Sequence, residues 1–231
     1  MLYALPPTPC TDPAAALAVR CPNLQMGTPS HVYAERRNHR VLLRGTSRII
    51  NVGTGPIELH GTRTGAREMA VTQVLHRGDG GRELWPTSAE LYFQPIPGQG
   101  GYWKLTDAAS LDVWTIGPDG ELGRPVRRSP KVHYCLRDLV RLSPAPAGSP
   151  GGRRYPSCNQ NPRQRSVTLG TSVGWVDRYP SSYYQQYVDV TGLRGRFAFA
   201  MTVDPAHKLA ESVETDNTSW VAVRLPARTR G

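Results

Sequence analysis

Apolar residues along this chain recur in short, alternating runs divided by glycine, proline and charged turns. That period of two is the signature of strands with one buried face. Val41–Leu43 and Ile49–Val52 form the first pair, followed by the turn Gly53-Thr54-Gly55-Pro56 and a strand at Ile57–Leu59. Met69–His76 alternates and stops at Gly78-Asp79-Gly80. Leu91–Phe93 is short and apolar, and Gly98-Gln99-Gly100-Gly101 reads as a flexible loop before a strand at Tyr102–Leu105. Leu111–Ile116, the turn Gly117-Pro118-Asp119-Gly120 and the return through Val126 make a hairpin. Lys131–Leu136 is extended, with Lys131, His133 and Cys135 on one face, and Ser143–Gln164 is a long proline-, glycine- and arginine-rich loop. Strands at Tyr184–Val190, Phe197–Val203 and Trp220–Leu225 close the pattern.

Strands at this spacing without amphipathic helices between them predict an all-β fold, a β-sandwich with long irregular loops. Residues 1–39 read as an irregular, proline-rich lead with one short helical stretch at Ala14–Val19, and residues 40–231 as the sandwich domain.

Charge sharpens this picture. The chain carries a net +10, and its basic residues are almost all arginine, with lysine only at Lys104, Lys131 and Lys208. A cationic module for an anionic surface or polymer is one reading. The arginine clusters fall in loops without interleaved aromatics, which argues against nucleic acid. No run reaches the roughly 18 apolar residues of a membrane span. Met1–Pro9 lacks the basic cap and apolar stretch of a signal peptide.

Cys10, Cys21, Cys135 and Cys158 form an even set without C-x-x-C spacing, so disulfides are expected rather than zinc. The most local of the three connectivities is Cys10–Cys21 with Cys135–Cys158, and disulfides imply an oxidising, extracytoplasmic setting.

Five segments, in order, resemble one family. Asn51-Val52-Gly53-Thr54-Gly55-Pro56-Ile57-Glu58 resembles its N-x-G-x-G-P-x-E turn, and Lys131-Val132-His133-Tyr134-Cys135-Leu136-Arg137-Asp138 its K-x-x-[FY]-C-L-x-D segment. Gly174-Trp175-Val176-Asp177-Arg178-Tyr179 resembles G-x-x-D-x-Y, and Gln186-Tyr187-Val188-Asp189-Val190-Thr191-Gly192 resembles Q-W-I-D-I-T-G. The tail from Val203-Asp204-Pro205 through Glu211-Ser212 to Asp216-Asn217-Thr218 resembles V-N-P…E-S…D-N-N. The family is that of bacterial lysyl oxidase-like proteins, and the resemblance spans about residues 40 to 225. It implies an exported β-sandwich that deaminates primary amines of a protein or peptide, using copper and a lysine tyrosylquinone. The crosslink positions would be Lys131 and Tyr179, with Asp177 as a candidate base.

The family's copper motif, H-x-H-x-H, departs here. Aligned on Trp103 and Leu105, its three positions hold Gly100, Tyr102 and Lys104, none an imidazole. The histidines of the chain, His31, His39, His60, His76, His133 and His207, make no H-x-H pair, and only His133 shares a strand face with Lys131. Three functions follow: a degenerate, non-catalytic member with a groove for a cationic or amine-bearing ligand; an active amine oxidase with an unorthodox metal site; or a cationic binding module. Lys104 and Lys131, brought together as the resemblance implies, would lower one another's pKa and make a Schiff-base nucleophile. Tyr183-Tyr184, Trp103, Trp175 and Trp220 read as core or rim aromatics.

Overall fold

The computed structural model describes residues 7–12, 14, 18–96, 98–130, 132–227 and 229–230. Its strands, in chain order, begin with β1 (Val19–Arg20), β2 (Leu24–Met26), β3 (Ser30–Arg37), β4 (Arg40–Asn51), β5 (Ile57–Arg63) and β6 (Glu68–Arg77). They continue as β7 (Arg82–Ile96), β8 (Gly100–Ile116), β9 (Leu122–Arg128), β10 (Val132–Tyr134), β11 (Val140–Arg141) and β12 (Ser166–Thr171). The last are β13 (Trp175–Tyr179), β14 (Tyr187–Asp189), β15 (Gly195–Val203), β16 (Thr218–Leu225) and β17 (Thr229–Arg230).

A 10-stranded sheet runs β12-β5-β6-β7-β8-β15-β16, with β1 on β6 and both β9 and β10 on β8. A 7-stranded sheet runs β11-β13-β4-β3-β17, with β2 and β14 also on β4. Pairing is antiparallel except for β17 on β3. The two sheets pack face to face as an all-β sandwich, as the alternation predicts. Trp103, Leu105 and Leu111 of β8 and Phe199 and Met201 of β15 meet Leu43 and Ile49 of β4 in one buried core.

Several expected boundaries move. The segments at Val41–Leu43 and Ile49–Val52 are one continuous strand, because the polar residues between them are buried and bonded. Arg44 pairs with Glu35 and donates to the Tyr183 carbonyl at 3.2 Å. Similarly Gly100–Gly101 is strand, since β8 follows β7 in register from Ile96↔Gly100 onward. The Tyr184–Val190 strand shrinks to Tyr187–Asp189. The lead is not irregular throughout: β1 joins the larger sheet and β2 and β3 join the smaller. Of the helical stretch at Ala14–Val19, residues 15–17 lie outside the described residues and Val19 is in a strand. The loop 143–164 contains no strand.

Both disulfides have the local pairing, Cys10–Cys21 and Cys135–Cys158. The first closes a loop within the lead, and the Cys21 carbonyl accepts from the Thr54 and Gly55 amides of the Asn51 turn at 2.8 and 3.0 Å. Asn51 donates to the Gly55 and Thr171 carbonyls, both at 3.0 Å, and its Oδ1 accepts from the Gly53 and Asn23 amides. A Cβ on Gly53 would lie 2.4 Å from the Asn23 nitrogen, so only glycine admits this approach. The tail motif serves the same end: Glu211 accepts from the Leu24 amide, and Asp216 from Asn23 at 3.0 Å and Gln25 at 2.6 Å.

Gly45, midway along β4, sits where the sheets approach closely. A Cβ there would fall 2.6 Å from Phe199 Cε1 and 2.9 Å from Met201 Cε. Gly45→Ala therefore destabilises the fold by about 1–3 kcal/mol through overpacking, read as a lowered midpoint in urea unfolding with an unchanged slope. An unchanged midpoint would show that the sheets are free to separate at this point.

Candidate functional site

β13 carries Trp175, Asp177 and Tyr179 on its buried face and Arg178 on the exposed one. β4 sets Ser47 opposite Tyr179 and Ile49 opposite Asp177. From the other sheet, Tyr134 of β10 stacks on Tyr179 with ring centroids 3.7 Å apart and planes at 11°. The Tyr179 hydroxyl accepts from the Cys135 amide at 2.9 Å and donates to the Cys135 carbonyl at 3.2 Å. The Tyr134 hydroxyl lies 3.0 Å from Ser47 Oγ and accepts from Gln186 Nε2 at 2.7 Å. Burial pushes both phenols up and keeps them protonated.

Tyr179 of this pair borders a cleft of about 810 Å³ whose walls include Arg37, Arg40, Arg137, Arg178, Tyr183, Tyr184 and Tyr187. Adjoining it is a smaller chamber of about 110 Å³. Ile96, Gln99, Arg137, Tyr179 and Tyr183 border both, while Tyr102, Lys104, Cys135 and Cys158 border only the smaller one. Among the described residues no carboxylate lines either space.

Lys104 reaches the chamber because alternation along β8 points it the same way as Tyr102. It is buried, 2% exposed, and its ammonium donates to the Tyr183 hydroxyl. The rings of Tyr183 and Tyr184 lie 4.9 and 5.3 Å from Nζ. Desolvation lowers its pKa from 10.5 to about 8. The ammonium expected beside it, that of Lys131, lies outside the described residues.

The expected site residues thus divide. Tyr102 and Lys104 of one strand and Tyr179, distant in sequence, border one chamber. Gly100 is exposed, in open space, and borders neither cavity. Lys131 lies outside the described residues. His133 accepts from the Asp107 amide at 3.1 Å and borders neither cavity. None of the other histidines does so either: His60 and His76 bond to Glu58 at 2.9 and 3.0 Å, with His76 and Glu58 lining a separate cleft, and His207 bonds to Glu214 at 2.7 Å. A glycine, a phenol and an ammonium offer copper no imidazole, and the residues present do not fit that metal.

Asp177 is fully buried, with neither carboxylate oxygen hydrogen-bonded among the described residues, and it lines neither cavity. Burial raises its pKa well above the usual range, against the pull of the Arg137 charge. The acid of the C-L-x-D segment is well supplied with hydrogen bonds. Asp138 is equally buried but accepts from Ser172 N and Oγ and from the Arg154 and Tyr155 amides at 2.7 to 3.2 Å. It clamps the long loop, and it is a structural residue.

The sequence reading missed Ser47, Gln186, Arg137 and Arg178. Arg178 was within reach, since strand alternation turns it outward between Asp177 and Tyr179. Ser47 and Gln186 carry no local pattern. A scan of protein-family models finds no match for the chain, and a search of curated proteins finds none either.

A raised carboxyl pKa favours the folded state at low pH and loses that contribution as pH rises through the folded value. Asp177→Asn therefore raises stability at pH 7, by roughly 1–3 kcal/mol for a buried unsatisfied group. The gain vanishes near pH ~3, where the carboxyl is protonated in folded and unfolded chains alike. Unfolding midpoints across pH check this; a loss of stability at pH 7 would mean that attraction to Arg137 outweighs desolvation.

Proposed function

We propose that this chain is an exported, lysyl oxidase-like sandwich that has given up copper and quinone chemistry and binds a small organic anion in its tyrosine-floored cleft. The observation that carries the reading is charge: Arg37, Arg40, Arg137 and Arg178 converge on one cavity that no carboxylate of the described residues lines. Arg40 is engaged by Asp189 at 2.7 Å, but Arg37, Arg137 and Arg178 make no ion pair among the described residues. The buried Nε of Arg137 has no hydrogen-bond partner among them either. A buried donor left unpaired is costly, and an anionic oxygen satisfies it.

Cavity size agrees with a small ligand, since pockets for such molecules run to about 300–1,000 Å³. Tyrosine faces add a stacking surface for a flat group. The lysyl oxidase resemblance is supported by the convergence of Tyr102, Lys104 and Tyr179 on one chamber. An amine substrate, by contrast, would enter a ring of guanidinium groups and find no carboxylate to receive it. Two disulfides point to an oxidising compartment, and among the described residues no helix is long and apolar enough to cross a membrane. Export is the setting that accords with both disulfides.

Calorimetric titration with pyridoxine 5′-phosphate, an aromatic phosphate monoester, tests the reading against its uncharged parent alcohol. The ester binds, the alcohol does not at matched concentration, and added salt weakens the complex. The Arg137→Ala, Arg178→Ala double variant binds about 10- to 100-fold more weakly, the worth of one or two charge-assisted hydrogen bonds. Equal binding of ester and alcohol would overturn it. So would stoichiometric copper uptake with a visible quinone band lost in Tyr179→Phe, which would restore the oxidase.

A further inference from the structure

We infer that Lys104 is a carbonyl-capturing amine, forming a Schiff base with an anionic ligand that carries an aldehyde or keto group. This deepens, and rests on, the anion-binding reading of the same cleft. Three features of the chamber support it. First, Lys104 is buried without a carboxylate partner; its one hydrogen bond among the described residues is to the Tyr183 hydroxyl. A lysine kept only for charge would be expected to pair, because a desolvated ammonium is expensive. Second, burial brings its pKa to about 8, so about a tenth of it is the neutral, nucleophilic amine at pH 7. Third, the choice of residue matters. In a chain that uses arginine almost everywhere for positive charge, this position holds one of only three lysines. A guanidinium stays protonated at any ordinary pH and could not attack a carbonyl.

The geometry orders the ligand as well. Arg137 borders both cavities, so an anionic group held by it and Arg178 directs the rest of the molecule toward the adjoining smaller chamber and Nζ. The lone pair of neutral Nζ adds to the carbonyl carbon as the C=O π pair moves to oxygen, which takes up a proton. The resulting carbinolamine loses its hydroxyl as water while nitrogen gives up a proton, leaving C=N. The net change is amine plus carbonyl to imine plus one water, with no oxidant or reductant. The Tyr183 hydroxyl, whose own pKa burial drives up, remains protonated beside Nζ and can donate to the departing oxygen.

Pyridoxal 5′-phosphate, an anionic aldehyde, is the probe. The full chain is incubated with it, the imine band is recorded, and cyanoborohydride reduction is followed by peptide mapping. The expected result is one equivalent of adduct on Lys104, formed at least 10-fold faster than on Lys208. Its rate rises with pH and reaches half its plateau near about 8, as expected of an amine that must be neutral to react. Lys104→Arg abolishes the adduct and Lys208→Arg retains it. Pyridoxine 5′-phosphate, which has no aldehyde, slows labelling of the wild-type chain by competition, a readout that needs no variant to fold. Binding of pyridoxine 5′-phosphate with no adduct on Lys104 would sink the Schiff base and leave the anion site standing. Failure of both ligands to bind would sink both. Adducts spread over Lys208 and the amino terminus at equal rates would also overturn the assignment.

Discussion

Tyr134 of the larger sheet and Tyr179 of the smaller lie face to face, and much of the site depends on that contact between layers. Stacking fixes the separation and register of the sheets at one end of the sandwich. Buried phenols need partners, however, and here they find them in groups that are themselves structural. Tyr179 spends both hydrogen-bonding capacities on the backbone of Cys135, a half-cystine. Tyr134 is met by Ser47 from the central strand β4 and by Gln186 from the turn before β14. Strand, disulfide and loop are thereby drawn onto two rings, one of which, Tyr179, borders the cleft.

Polar burial, rather than apolar packing alone, sets the shape of this sandwich. β4 runs unbroken for 12 residues although Arg44, Thr46, Ser47 and Asn51 are all buried within it. Each has a specific partner: Arg44 finds Glu35 and two carbonyls, and Asn51 organises the turn on which the disulfide-held lead rests. Satisfied networks of this kind favour one arrangement over near alternatives, because a shift in register strands several donors at once. Asp138 and Asp177 show the contrast within a single region. The first is fully hydrogen-bonded and clamps a loop, whereas the second is orphaned and held toward its neutral form.

The architecture was legible from the period-two runs and the turn residues between them, because alternation reports directly on which face is buried. Strands whose interiors are polar were not legible in this way. β4 was read as two segments, and β3 and β13 were passed over, since Arg44, Glu35 or Asp177 interrupts the apolar pattern. The disulfides followed from locality and parity alone. At the site, Tyr102, Lys104 and Tyr179 were reached through an ordered set of motifs, yet neither periodicity nor spacing could say what surrounds them. Arg137 and Arg178 converge on the cleft from separate segments, and only three-dimensional proximity gives that convergence a meaning. The lowered pKa of Lys104 was anticipated for a different reason: the cause is desolvation, a property of the fold that a linear sequence does not display.

A chamber built to hold a metal must supply neutral or anionic donors around a cation, and substitutions in it rarely leave the chemistry neutral. Here a lysine and a tyrosine border the smaller chamber, with arginines lining the approach. The electrostatic sense of the space is therefore one that attracts anions. The features around it are indifferent to that sign: a stacked tyrosine on its border, a disulfide beside it, and a strand that aims one side chain into it. Any amine placed at the end of that strand is stripped of water by the same packing that excludes solvent from the core, and reactivity at Lys104 is then a consequence of the fold rather than an addition to it.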